Sequence, residues 1–153
     1  LALFLTFFIM APIGAEINNE AIQPFLKEEI NQEIALERSM KPIREFMFRQ
    51  TRDKDLSLFL NIKKIDKVDN LDQIPSHVLI PAFIISELKT AFQIGFVIYV
   101  PFLVIDMVVA STLMSMGMMM LPPVIISLPF KILLFVLVDG WNLIIKSVLL
   151  GFK

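Results

Sequence analysis

The chain has 153 residues, enough for one ordinary domain, but 56% of them are hydrophobic and its mean hydropathy is +0.73. A net charge of -1 offers no clustered basic face for nucleic acid, and the lack of cysteine excludes a disulfide, a thiolate nucleophile and a zinc-thiolate site. His77 is the only histidine, so a multi-histidine metal site or a Ser-His catalytic pair lacks parts.

The charges are unevenly spread. Residues 16–72 hold 22 of the 29, whereas residues 78–153 hold only Glu87, Lys89, Asp106, Lys131, Asp139, Lys146 and Lys153. Such a split describes a small polar domain joined to membrane-type segments rather than a monomeric soluble globule. In chain order, residues 1–14 come first, and the first eleven are almost wholly apolar. At ~1.5 Å per residue they cover roughly half of a ~30 Å hydrocarbon core. AEIN after Pro12 makes a poor leader-cleavage site. The expectation is therefore the end of a truncated hydrophobic or transmembrane helix.

Residues 15–77 read as a polar helical domain. Ala21, Ile22, Phe25, Leu26 and Ile30 recur at helical spacing, and Ile34 and Leu36 extend the apolar side to Arg38. Ser39 is expected to cap a second helix with Pro42 in its first turn and Ile43, Phe46 and Met47 on one face. Asp53 or Asp55 is expected to cap a third, short helix through Leu56, Phe59 and Leu60. The stretch 61–76 reads as a linker or exposed loop.

Residues 78–153 read as a hydrophobic helical hairpin with a Met-rich turn at 114–123. Residues 107–130 are uncharged and long enough to span a bilayer, yet Gly117, Pro122, Pro123 and Pro129 forbid one straight helix. The turn is expected at Gly117–Pro123. The incoming arm runs from about Pro81 to Met116 with a bend at Pro101; the outgoing arm runs from Val124 toward Phe152 with a bend near Pro129 or Gly140. Both arms carry charge, which is costly at bilayer depth unless it is paired or faces protein. Glu87 and Lys131 lie on opposite arms and can meet in an antiparallel pair. Asp106, Asp139 and Lys146 are the other expected buried charges, the last two sharing a helix side. Such arms suit neighbouring subunits better than lipid.

Five of the nine methionines, Met114, Met116, Met118, Met119 and Met120, fall at the turn. Methionine is flexible and polarizable, so several copies on one axis would make a compliant apolar seal. Ordinary packing and thioether metal binding remain the other readings of the same cluster. Catalysis finds little support. Asp106 and Asp139 lack the glycine-rich contexts of intramembrane aspartyl proteases. Ser127 and Lys131 have helical i,i+4 spacing but no sign of an oxyanion site. No metal, cofactor or catalytic residue is expected. A subunit of a small-solute or ion transporter or channel with broken transmembrane helices is the alternative to a secretion-gate subunit.

Specific stretches resemble a known family. QPF at 23–25, PIREFMFRQTRDKDLSLF at 42–59, SELKTAFQIGF at 86–96, PFLVIDMVVAS at 101–111, MGMMMLPP at 116–123, LPFK at 128–131 and LVDGW at 137–141 occur in order over most of the chain. They resemble the FliP/SctR/YscR family of type III secretion export-gate proteins, with LPFK and LVDGW closer to its flagellar branch. The resemblance implies an all-α, non-enzymatic subunit of a helical ring, here a pentamer joined by FliR-like and FliQ-like subunits, that passes unfolded flagellar proteins. MGMMM implies a pore gasket at Met116, Met118, Met119 and Met120, the last three facing the pore. SELK and LPFK imply an inter-helix or inter-subunit charge pair between Glu87 and Lys131. The implied location is the bacterial inner membrane at the flagellar basal body, with the gate on the periplasmic side.

Overall fold

A computed structural model describes residues 1–65, 71–118 and 120–152, except for the side chain of Asp72. Among these residues every regular element is helical. The elements are α1 (Ala2–Ile17), a π-helical turn (Asn18–Ile22), α2 (Gln23–Leu26), α3 (Gln32–Gln50), α4 (Asp53–Ile62), a 3₁₀ turn (Leu71–Gln73), α5 (Ser76–Ser115), α6 (Pro123–Leu137) and α7 (Gly140–Gly151). They form two compact units, Leu1–Lys89 with Phe152–Lys153, and Thr90–Gly151, with α5 contributing to both.

In the first unit, α1, the π turn and α2 are continuous. Pro24 has no N–H for the carbonyl of Glu20, four residues back, and its ring crowds that oxygen. The widened π turn falls at this point, and the Arg38 guanidinium donates to the Glu20 carbonyl at 3.5 Å. The helix stops at Glu28, whose φ of 60° lies in the left-handed region and turns the chain.

α3 starts earlier than the helical pattern suggests. Asn31, not Ser39, is its cap: the Asn31 side-chain oxygen accepts from the Ile34 N–H at 2.9 Å. Ser39 lies mid-helix and donates instead to the Ala35 carbonyl at 2.7 Å, and Pro42 is accommodated within the same helix. The side-chain oxygens of serine serve a cap or a back-bond equally well, so local sequence does not separate the two.

The core of this unit is small and apolar. Met47, Ile74, Val78 and Leu79 are buried together, flanked by Ile43, Phe48, Leu56, Phe59, Leu60, Ile65 and Phe83. Ile74 belongs to the stretch expected to be an exposed loop. It is drawn in by Arg44, whose guanidinium donates to the Ile74 carbonyl and the Ser76 hydroxyl, both at 2.6 Å, and stacks over the Phe48 ring at 5.5 Å. Asp66–Asn70 of the same stretch lie outside the described residues.

The α4 start is pinned to α5 by a polar cluster. Arg52, rather than either aspartate, holds the cap position, and its N–H donates to the Ser86 hydroxyl at 3.0 Å. That hydroxyl donates to Asp55 at 2.9 Å, and Lys89 pairs with the other Asp55 oxygen. Asp55 is only 2% exposed, so its charge needs these partners. The Lys89 ammonium holds the Asp55 carboxyl below the usual carboxylate range, with the Ser86 hydroxyl assisting, against burial, which pushes it up.

The second unit is a broken hairpin. Asp106 on α5 meets Ser127 and Lys131 on α6, and Phe102, one turn earlier, approaches Phe135, one turn later, with ring centroids 6.4 Å apart. Partner numbers rise on α6 as they fall on α5, so the arms are antiparallel. α5 stays helical through Pro101, and α6 through Pro129. The outgoing arm breaks at Asp139–Gly140, where α6 and α7 meet at 62°. Asp139 adopts φ 50°, and a Cβ on buried Gly140 would lie 2.4 Å from the Phe135 ring. Close backbone approach to an aromatic ring sets this elbow.

Candidate functional site

The methionine turn is built by helix-ending chemistry. Gly117 takes φ 74°, the Met118 N–H reaches back to the Leu113 carbonyl at 3.0 Å, and the Gly117 N–H to Met114 at 3.1 Å. This paired pattern terminates α5 around a left-handed glycine. Thr112 and Ser115 return their hydroxyls to carbonyls one turn back, at 2.7 and 2.8 Å, and so reinforce the last turn. Pro122, extended at ψ 119°, and Pro123 in the first position of α6 then restart the helix. The expected turn residues Gly117, Pro122 and Pro123 thus each have a distinct backbone task.

This arrangement leaves the thioethers outside. Met116 is 61% exposed, Met118 50% and Met120 100%, and Met114 on the last turn of α5 is also exposed. Met119 lies outside the described residues. An apolar, deformable cluster therefore sits at the end of the hairpin.

Behind the turn lies a polar lock. Lys131 donates to one oxygen of Asp106 at 2.7 Å, and Ser127 donates to the other at 2.5 Å. Ser127 is fully buried, while the two charged side chains are 28% and 20% exposed for Asp106 and Lys131. Within a largely apolar hairpin this pairing neutralises both charges and fixes the register of the arms. Sequence reading had singled out all three residues but not their association. Counting outward from a turn at Gly117–Pro123 places residue 106 opposite residue 134, about one helical turn beyond Lys131, so the sequence indicated the neighbourhood but not the register.

The remaining expected charges are placed separately. Glu87, in the first unit, is half-buried and forms no ion pair among the described residues. Asp139 accepts from the Asn142 side chain at 3.2 Å and serves the α6–α7 elbow. Lys146 is exposed on α7 and, among the described residues, makes no ion pair. The Asp55–Ser86–Lys89 cluster is a functional-looking group that sequence reading missed. Its members are 31 and 34 residues apart, and no short-range pattern connects them.

Two helical stretches, Ala2–Leu26 and Ser76–Ser115, are long and apolar enough to cross a membrane, and the bent pair α6–α7 adds a third if counted as one span. Most of their large apolar side chains, Phe4, Phe8, Phe92, Val97 and Leu133 among them, are exposed. A single chain with this much uncovered apolar surface belongs to a class: helical membrane proteins whose broken hairpin carries a thioether-rich tip. Comparison with known proteins narrows the class. Residues 1–148 match the sequence profile of the FliP family. The chain is 65% identical over 152 residues to the flagellar biosynthetic protein FliP of Bacillus subtilis (strain 168), covering 99% of this chain and 69% of that protein. It is 55% identical over 152 residues to the protein of the same name from Pectobacterium carotovorum subsp. carotovorum, covering 99% of this chain and 59% of the relative. With the Aquifex aeolicus (strain VF5) protein it shares 52% identity over 155 residues, all of this chain and 65% of the relative. The chain belongs to the FliP family.

Proposed function

We propose that this chain is a subunit of the flagellar type III protein export gate, where it lines a pore for unfolded flagellar proteins and closes it with its methionine turn. The observation that carries the reading is the family match across residues 1–148. The geometry supports it in three ways. Exposed thioethers cluster at the tip of a hairpin, in a position to form a compliant ring when several copies converge. The apolar arms are uncovered in the isolated chain, as expected of helices that pack against neighbouring subunits or lipid. Two of the charges within the hairpin, Asp106 and Lys131, neutralise each other, with Ser127 donating to the same carboxylate.

The assembly consists of a pentameric ring of this chain with FliR-like and FliQ-like subunits, in the bacterial inner membrane at the flagellar basal body, with the gate toward the periplasm. Glu87 supplies a contact between copies. It is half-buried, with the Arg52 charge acting on it and neither the Lys89–Asp55 nor the Lys131–Asp106 salt bridge including it, whereas the Lys131 ammonium has three donors and places one on Asp106. A Glu87 carboxylate from a neighbouring copy fits the unused donors.

The test is the mass of the full-length protein purified with and without its FliR-like partner, combined with charge reversal. Glu87→Lys is expected to abolish the ring, and adding Lys131→Glu to restore part of it. Because Lys131→Glu also sets a carboxylate against Asp106, the reversal is repeated with Asp106→Asn added, and no rescue in either background argues against the pairing. Replacement of Met118 and Met120 by alanine is expected to leave the ring assembled but permeable to small ions. Saturable uptake of a small solute by a ring of this chain alone would favour a transporter instead.

A further inference from the structure

We infer that the methionine turn is an oxidation site, and that its conversion to methionine sulfoxide unseals the gate. The inference rests on the gasket reading for its functional half but not for its chemical half. The chemistry requires a thioether sulfur that a small oxidant can reach. A sulfur lone pair attacks one peroxide oxygen, the O–O bond breaks, and an S–O bond forms. With hydrogen peroxide, one water leaves for each sulfoxide made, and the sulfur is oxidised by two electrons as the peroxide is reduced.

Exposure and position separate the turn from Met47 and Met107, while Met10 and Met40 are half-buried. Met114, Met116, Met118 and Met120 are 62%, 61%, 50% and 100% exposed. All four lie at the hairpin end, three of them beyond the last residue of α5. Met47 is 7% exposed and belongs to the apolar core of the first unit. Met107 is exposed in the single chain, but it lies within α5, whose apolar length suits a membrane or a neighbouring subunit. At the tip the helix gives way to a turn that carries these sulfurs, so covering the arms leaves them within reach of small solutes. A sulfoxide is polar and strongly hydrated, and a ring of them loses the apolar contact that excludes water. Methionine sulfoxide reductases reverse the change, so the turn can report an oxidative challenge and recover from it.

The test uses the full-length gate, assembled with its partner subunits in vesicles, exposed to graded hydrogen peroxide. Peptide mass spectrometry follows each methionine while ion flux is recorded. Sulfoxide is expected at the turn roughly tenfold faster than at Met47, with ion leak rising in step and falling after reductase treatment. A gate with all five turn methionines, Met114, Met116, Met118, Met119 and Met120, replaced by leucine is expected to show no peroxide-dependent increase over its own untreated leak. Equal oxidation rates at the turn and at Met47 would overturn the inference and leave the gasket reading standing. Selective oxidation without leak, in a gate whose alanine variant does leak, would also overturn it. If neither oxidation nor the alanine variant produces leak, the gasket reading itself falls and takes the inference with it.

Discussion

The two units are held together by different kinds of interaction. In the first, Met47, Ile74, Val78 and Leu79 form an apolar core, and Arg44 ties the chain after α4 to α3. In the second, Leu113, Ser127 and Gly140 are the buried ones among the described residues, and there the arms are registered by one ion pair, one serine and a ring-against-glycine elbow. The first unit resembles a small globular domain. The second resembles one piece of a larger wall whose apolar surface is completed elsewhere. A chain can therefore fold one part by its own hydrophobic burial and leave another part specified by polar register, with its apolar faces kept for partners.

The largest test of this contrast is Leu79→Ala. Leu79 is fully buried, so truncation is expected to destabilise the first unit by about 2–5 kcal/mol. Hydrogen exchange on the full-length protein should show loss of protection concentrated in α3, α4 and the start of α5. Equal loss throughout α6 and α7 would mean that the two units unfold as one. Next in size is Gly140→Ala, whose Cβ would collide with the Phe135 ring 2.4 Å away. Overpacking of this kind costs about 1–3 kcal/mol, and the expected result is a disturbed α6–α7 elbow with the first unit unaffected. Limited proteolysis near residue 139, with protection in α3 unchanged, would check both halves of that statement.

A smaller effect is expected from Asp55. Its folded carboxyl titrates below the ordinary range because Lys89 stabilises the charged form. Its contribution is complete above the unfolded carboxylate value of about 4 and is lost as pH falls through the depressed folded value. Acid should therefore loosen α4 from α5. Asp55→Asn is expected to lower stability at neutral pH and remove part of the acid dependence, measured as melting temperature against pH. An unchanged acid limb in the variant would place that sensitivity on another group.

Much of this organisation was legible in the residues. The hairpin turn followed from Gly117, Pro122 and Pro123, because a left-handed glycine and a proline at a helix start leave few alternatives. The α4 boundary was close to expectation, although its aspartates occupy the first turn rather than the cap. The helical periodicity before Arg38 missed the break at Glu28, because a non-glycine residue in the left-handed region carries no sequence mark. Pro129 looked as good a bend as Gly140; the structure bends at Gly140, where Phe135 packs against bare backbone.

The sequence by itself determined the helical class, the split between a charged segment and an apolar one, the place of the turn and the identity of the side chains exposed there. These depend on composition, on local backbone preference and on the spacing of apolar residues, all of which act over a few residues. Tertiary structure alone decided that Lys131 and Ser127 serve Asp106, that the loop residue Ile74 is buried rather than exposed, and that Asp55 is buried between Ser86 and Lys89. Each of these joins residues more than twenty positions apart, or depends on such a contact. Which of several compatible charges or hydroxyls meets a buried carboxylate is settled by the packing of whole helices, not by the residues that flank it.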